Sequence, residues 1–350
     1  MRYFKPPPFA MPLPEYGYGQ PPVLAAVERD MWAWIESYDL PVNPSMREHL
    51  ARTRPEYLTA LYYPYADAPH LAALNHYMTL AFLIDDLLDD AISENDESAV
   101  AEFTADLADV ARGEREPSHP VARALDGVLG ELAQDRSPQW RSLLNEANER
   151  WLDTYSVEAR TSGEGRAMRF GEYVVHRRHG VDMMVFLHLE EYAHDIELPA
   201  EVRDLPAMVQ AREHVCDWAG LYNDVFSAEK EEAVGYPYNG VLIVREQRGC
   251  STREAAEVVG DALTGLIGQF EAAGEAVRAQ VRAATDDDPA VLRAALRVVD
   301  GYRHCLRGNF DYHLSAARYD RAPSYLPPAQ NDGLRPLWSP AHALRGDSGD

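Results

Sequence analysis

Two acidic motifs carry the residue types that could do chemistry. Asp85-Asp86-Leu87-Leu88-Asp89-Asp90 closes an apolar run, and Asn223-Asp224-Val225-Phe226-Ser227-Ala228-Glu229-Lys230-Glu231 begins 138 residues after Asp85. On a helix, residues four apart stand one above the other. Asp85 then shares a face with Asp89, and Asp86 with Asp90, each a pair of like charges that repel. Asn223, Ser227 and Glu231 fall at i, i+4 and i+8, so their oxygens form one stripe. Carboxylates, one amide and one hydroxyl make an all-oxygen donor set. Such a set suits Mg²⁺, which keeps several waters and shares its remaining positions with substrate phosphates. Four aspartates near a helix C-terminus also oppose the helix dipole, a strain that a cation relieves. The spacing therefore points to magnesium held against a diphosphate. The run Asp286-Asp287-Asp288-Pro289 is a useful contrast. It precedes an Ala/Leu/Arg stretch, where Asp at the cap and Pro in the first turn are ordinary start signals.

The elements that must position these motifs read as helices. Residues 1–22 are too rich in proline for a helix interior and suggest an extended arm on the body. From about residue 23 the periodicity is helical, with breaks at Pro41/Pro44, Pro64–Pro69, Pro117–Pro120, Pro138, Pro199–Pro206, Gly235–Pro237 and Asp286–Pro289. Alternating Val-rich strands, repeats of fixed period and Gly/Ser linkers are all missing from the sequence. Residues 322–350, rich in Pro, Gly and Asp, suggest a mobile tail. One all-α domain over residues 23–321 is the expectation. Leu80, Phe82, Leu83 and Ile84 lead into Asp85, which would place the carboxylates at the mouth of a central apolar cavity.

Composition narrows the partners. The 350 residues are 46% hydrophobic, enough for a sizeable core, and carry a formal net charge of −24. That charge argues against nucleic acid or an anionic membrane, both of which call for basic surface. Cys216, Cys250 and Cys305 are odd in number, widely spaced and without zinc-ligand spacing. They read as small buried hydrophobes in a reducing compartment. The N-terminus has no apolar signal region, and Leu71–Ile84 is interrupted by Asn75 and His76 and reads as too short to span a bilayer. A soluble cytoplasmic protein with no integral membrane segment is expected.

With both motifs in register, the chain resembles the class I terpene synthases of the bacterial, single α-domain type, over roughly residues 20–320. The resemblance implies a helical barrel whose two acidic motifs face each other across its top. They would bind three Mg²⁺ and the diphosphate of an isoprenoid. By this match Asp85, Asp86 and Asp89 form the aspartate-rich motif, while Asn223, Ser227 and Glu231 chelate one ion. Lys230 matches a diphosphate-contacting cation. Arg177, 46 residues before Asn223, matches the diphosphate-sensing arginine. Gly180 and Val181 fall at the helix break that follows it. Arg318-Tyr319 matches an Arg-Tyr pair reaching the same diphosphate. Two departures stand out: the extra Asp90, and Tyr312 before the Arg-Tyr pair where many relatives carry Trp. The resemblance allows a homodimer.

The implied reaction is Mg²⁺-dependent ionisation and cyclisation of a linear prenyl diphosphate, farnesyl diphosphate first, to a terpene hydrocarbon or alcohol with release of pyrophosphate. Geranyl, methylated geranyl and geranylgeranyl diphosphate are alternatives. Phe82, Phe186 and Tyr312 are the pocket aromatics expected to shelter a cation. A chain-elongating prenyltransferase would share the first motif but needs a second aspartate-rich one. An all-α magnesium-dependent nucleotide pyrophosphohydrolase and an inert acidic scaffold are readings from other classes. Repulsion among the site carboxylates suggests a lid, with residues 318–325 and the loop Gly235-Tyr236-Pro237 ordering over bound diphosphate.

Overall fold

The computed structural model describes residues 21–40, 42–93, 96–163 and 168–316. The arm up to residue 20 and the tail, with Arg318 and Tyr319, lie outside the described residues. Among those described, all regular structure is helical. In order the helices are α1 (Pro21–Ser37), α2 (Pro44–Thr53), α3 (Pro55–Tyr62), α4 (Ala68–Ser93), α5 (Glu97–Ala111), α6 (Pro120–Leu132) and α7 (Pro138–Gly163). There follow α8 (Phe170–Gly180), α9 (Met183–Ala193), α10 (Ala200–Arg203), α11 (Pro206–Val234), α12 (Gly240–Arg248), α13 (Thr252–Ala284) and α14 (Pro289–Ser315).

Proline writes much of this segmentation. α1, α2, α3, α6, α7, α11 and α14 each begin at a proline, whose fixed φ suits the first turn and whose missing N–H costs nothing there. Asp288 caps α14 by accepting from the amides of Ala290 and Val291, as its sequence context implies. Helix α1 starts at Pro21, two residues before the expected edge of the arm.

Helix packing closes a ring. α4 contacts α7, α7 contacts α8, α8 contacts α11, α11 contacts α14, α14 contacts α3, and α3 returns to α4. Inside it α9 touches α4, α7, α8, α11 and α14. Accordingly α9 is buried almost all round, including Met183, Val185, Phe186, Leu187 and Leu189. Further helices coat the ring: α1 and α6 lie on α4, α5 on α7, and α10, α12 and α13 on α11.

Three sequence expectations are revised here. Asn75 and His76 do not interrupt α4, which runs 26 residues. Asn75 accepts a hydrogen bond from Thr59 and His76 bonds to Asp30, so neither side chain has to leave the helix to find a polar partner. By length and composition the Ala68–Asp89 stretch could cross a membrane, but 78% of its apolar window is buried in the bundle, as befits a core helix. The third revision concerns the cysteines: Cys216 and Cys305 are buried, but Cys250 is only half-buried.

The α14–α3 seam depends on a missing side chain. A Cβ at Gly308 would lie 2.9 Å from the Leu61 Cβ and 3.0–3.1 Å from its main-chain carbonyl atoms. Backbone atoms of α3 cannot yield cheaply. Gly308→Ala is therefore expected to destabilise by about 1–3 kcal/mol from overpacking, outweighing the roughly 1 kcal/mol that Ala contributes as a helix former. Thermal unfolding checks this, and an unchanged or raised melting temperature would contradict the close approach.

Candidate active site

The site is built around Arg177 in the last turn of α8. Its Nη2 donates to Asn223 Oδ1 at 3.0 Å, its Nε to Asp224 Oδ1 at 3.2 Å, and its Nη1 to the Gly180 carbonyl at 3.2 Å. Asp224 is fully buried and also accepts from the Tyr173 hydroxyl and the Gly240 amide, both at 2.8 Å. Burial works against the Arg177 charge, but Tyr173, Asp224, Glu231 and Tyr236 around it hold its pKa well above the ordinary value. The guanidinium reaches α11 because residue 220 is glycine. A Cβ there would stand 2.7 Å from the Arg177 Cγ. Arg178 engages an earlier part of α11, donating to Asp217 at 2.8 and 2.9 Å and pairing with Glu213 at 2.8 Å. Of the two adjacent arginines, Arg177 faces Asn223.

Asn223, Ser227 and Glu231 lie along α11 as their spacing requires. Ser227 Oγ donates to the Asn223 carbonyl at 3.0 Å. Asn239 is the residue that sequence reasoning missed. Its Nδ2 donates to Glu231 Oε2 (2.7 Å), to the Asp224 carbonyl (2.8 Å) and to Ser227 Oγ (3.3 Å). Its Oδ1 accepts from Val241 and Leu242, capping α12. An Asn before an apolar run is a legible cap signal; its grip on Ser227 and Glu231 is tertiary and left no trace in spacing.

The first motif meets the second at Asp89. Burial raises the Asp89 carboxyl well above the usual carboxylate range; Asp85, Glu231 and Asp86 push it further and Lys230 opposes them. Burial, with the Asp224 charge behind it, pushes Glu231 up to about 7. Residues far apart in sequence thus share one electrostatic environment. Asp85 and Asp86 diverge. Asp85 Oδ1 accepts from the Tyr155 hydroxyl of α7 at 2.6 Å, whereas Asp86 bonds to His49 Nε2 of α2 at 2.9 Å. The side chain of Asp90 lies outside those described. Among the described residues, no three carboxylate, imidazole or thiol groups converge on one point. The donor set still fits Mg²⁺, which fills much of its shell with water and phosphate. Asp85, Asp86, Asp89, Asn223, Ser227 and Glu231 would hold it, and the like charges raising Asp89 are what a divalent ion offsets.

The expected pocket residues fall into two groups. Phe82 and Tyr312 face each other with ring centroids 6.5 Å apart, and the Tyr312 hydroxyl donates to the Thr53 carbonyl. Phe186 sits elsewhere, edge-on to Tyr62 at 5.9 Å and Tyr77 at 5.6 Å. Gly180 and Val181 do lie at a break: α8 stops at Gly180, and Asp182 takes a left-handed φ of 55° before α9. Sequence reasoning overlooked an aromatic ladder on α11. Trp218, Tyr222 and Phe226 fall at i, i+4 and i+8, one position before the Asn223 stripe; Trp218 stacks on Tyr222, Phe226 packs tilted against it, and Tyr222 lies 5.6 Å from Phe310. The loop Gly235-Tyr236-Pro237 packs against α7. Tyr236 is buried and its hydroxyl donates to Glu158.

Comparison with known proteins settles the family. Residues 76–268 match the family described as "Terpene synthase family 2, C-terminal metal binding". The chain is 33% identical over 243 residues to (2Z,6E)-hedycaryol synthase of Kitasatospora setae, covering 68% of this chain and 71% of that protein. The chain belongs to the class I terpene synthases. Another relative, 7-epi-alpha-eudesmol synthase ((2E,6E)-farnesyl diphosphate cyclizing) of Streptomyces viridochromogenes, is 27% identical over 271 residues, 74% of this chain and 77% of that one. A solved hedycaryol synthase structure superposes on this terpene synthase with a TM-score of 0.78 at 27% identity, covering 90% of this chain and 100% of that one. The chain is thus a lyase of the prenyl diphosphate class with a divalent metal cofactor, and the nucleotide hydrolase and inert scaffold readings fall away.

Two predictions arise from this terpene synthase's geometry. Gly220→Ala adds a good helix former, worth roughly 1 kcal/mol, yet pushes Arg177 off Asn223. Because the displaced guanidinium also holds buried Asp224, the melting temperature should fall despite the helix former, and turnover should fall about tenfold or more; wild-type turnover in a folded variant would contradict the contact. The second concerns pH. A carboxyl raised to about 7 in the fold, from its ordinary 4.5, binds its proton more tightly folded than unfolded. Protonation stabilises the metal-free fold below that range, the gain is lost as pH rises through about 7, and Mg²⁺ must displace the proton. Apparent Mg²⁺ affinity should weaken about tenfold per pH unit below 7 for one displaced proton, more steeply if Asp89 contributes. Calorimetric titration across about pH 6 to 8 measures it, and a flat profile would contradict the shift.

Proposed function

We propose that this enzyme ionises and cyclises farnesyl diphosphate in the cytoplasm, with three Mg²⁺ held between Asp85/Asp86/Asp89 on α4 and Asn223/Ser227/Glu231 on α11. The observation that carries this reading is the Arg177 guanidinium bonded to Asn223 Oδ1, with Asp89, Lys230 and Glu231 in one electrostatic neighbourhood. When bound, the divalent ions neutralise charge developing on the leaving diphosphate. Arg177 has a fork suited to two phosphate oxygens. As it turns to the substrate it releases Asn223 Oδ1, the oxygen the metal stripe requires. Lys230 supplies a further cation on the same helix, and Arg318 and Tyr319 are assigned to the same diphosphate.

The allylic C–O bond breaks and its electron pair leaves with pyrophosphate. The remaining cation is captured by a distal alkene and discharged by loss of a proton or addition of water, giving a cyclic hydrocarbon or alcohol. Phe82 and Tyr312 present ring faces that favour positive charge, and Phe186 shapes the wall opposite α3. The break at Gly180 and Val181 supplies main-chain carbonyls that helix hydrogen bonding leaves over. Farnesyl diphosphate is preferred because the eudesmol relative is named for cyclising it.

Incubation with geranyl, methylated geranyl, farnesyl and geranylgeranyl diphosphates, with product analysis by gas chromatography, tests the proposal. Pyrophosphate release and a cyclic product are expected from farnesyl diphosphate with Mg²⁺, and neither after chelation. Arg177→Lys keeps the charge but loses the fork, so turnover should fall about tenfold or more, while Arg178→Lys stays near wild type. A cyclic product only from another chain length would overturn the substrate; greater damage at Arg178 would overturn the assignment of Arg177.

A further inference from the structure

We propose that Glu158 of α7 is a positioning residue that sets the distance between the Arg177 helix and the loop closing the metal-binding stripe. It rests on the diphosphate reading above but not on substrate chain length. Glu158 is 3% exposed and touches neither Asp85 nor Glu231 in any hydrogen bond described. Its Oε1 bonds to His176 Nε2 at 2.7 Å, and His176 is the residue before Arg177. Its Oε2 accepts from the Tyr236 hydroxyl, and its main-chain carbonyl accepts from the Tyr238 hydroxyl at 2.7 Å.

Both tyrosines lead back to the second motif. The Tyr236 amide donates to the Glu231 carbonyl at 2.9 Å, closing the end of α11 where Gly235 adopts a φ of 78°. The Tyr238 carbonyl accepts from the Tyr173 hydroxyl at 3.1 Å, and that hydroxyl also donates to Asp224. Tyr238 is followed by Asn239, which holds Ser227 and Glu231. One turn earlier on α7, Tyr155 donates to Asp85. The Tyr155–Glu158 face of a single helix therefore touches the first motif, the arginine helix and the loop that follows the stripe.

The residue type supports a positioning role over filling. Withdrawing a carboxylate from water is costly unless its hydrogen bonds are good, and an apolar side chain would fill the same volume at lower cost. What the carboxylate adds is two short, directional bonds to different elements. With them in place, the gap between Arg177 and Glu231 is held at one width, and Tyr236 and Pro237 cannot swing away from the metal end. Ionisation depends on that width because stabilisation of the leaving group falls steeply when donors are displaced by an ångström or so. A loosened loop would also admit water to the cation.

Glu158→Gln and Tyr236→Phe test this on the full chain, using whichever prenyl diphosphate the wild type cleaves. Gln retains one acceptor but turns an N–H₂ toward the other donor; Phe deletes only the hydroxyl. Each should lower kcat about tenfold or more, with KM changed far less. Each should also raise the share of acyclic alcohol, its oxygen drawn from ¹⁸O-labelled water. In the double variant the kcat losses should be less than multiplicative. Wild-type kcat and product ratio in both single variants would overturn the proposal. So would a loss of kcat that tracks a lowered melting temperature while the product ratio holds, since that is the signature of a structural residue. A wild type that cleaves none of the four diphosphates would overturn the reading of the whole site, and this proposal with it.

Discussion

The buried contact between Arg177 and Asp224 is the constraint on which the functional end of the molecule depends. Asp224 has no water to solvate it, so its charge is tolerable only because Arg177, Tyr173 and Gly240 donate to it together. Those donors come from α8 and from the start of α12, and the acceptor stands on α11. Three elements are tied at one carboxylate. The tie also decides which way Arg177 points, and hence that its Nη2 meets Asn223. Removing one partner would leave a buried charge unmatched, which typically costs about 3–5 kcal/mol. Fold stability and site geometry are therefore one interaction here.

Around this tie, polar residues on neighbouring elements do the aiming. Tyr155 holds Asp85, His49 holds Asp86, Asn239 holds Glu231, and Glu158 holds the loop beyond it. The carboxylates are thus spread rather than clustered. Four aspartates and a glutamate on two facing helices would repel strongly if aimed at one point without a cation. Tethering Asp85, Asp86 and Glu231 to separate neighbours keeps the metal-free form compact, and burial, with the repulsion that remains, raises the proton affinities of Asp89 and Glu231.

Much of this was legible in the chain because it is local. Helix starts follow from proline, and the Asn223, Ser227 and Glu231 stripe follows from the helical repeat. The aspartate run follows from like charges placed where a dipole disfavours them. Asn239 and Glu158 were illegible because their roles are contacts across 8 to 80 residues of sequence with no repeat to betray them. Gly220 was hidden for the opposite reason: its function is the volume it does not occupy. Asn75 and His76 misled because polarity in an apolar run reads as interruption, whereas a polar side chain that finds a partner inside the bundle can stay on a buried face.

Helix α4 has a consequence for how the chain comes to be made. Its 22-residue apolar window is complete at Asp89. Two of the helices that cover it, α1 and α3, precede it, but α6, α7 and α9 are not finished until residues 132, 163 and 193. During synthesis the nascent chain therefore carries a greasy helix, of a length that suits a bilayer, with only part of its coat. Its aspartates at one end and His70 and His76 at the other are the polar marks that set it apart from an anchor during that interval. The same carboxylates that serve the finished site would thus protect the unfinished protein, by making burial in lipid costly for a segment otherwise suited to it.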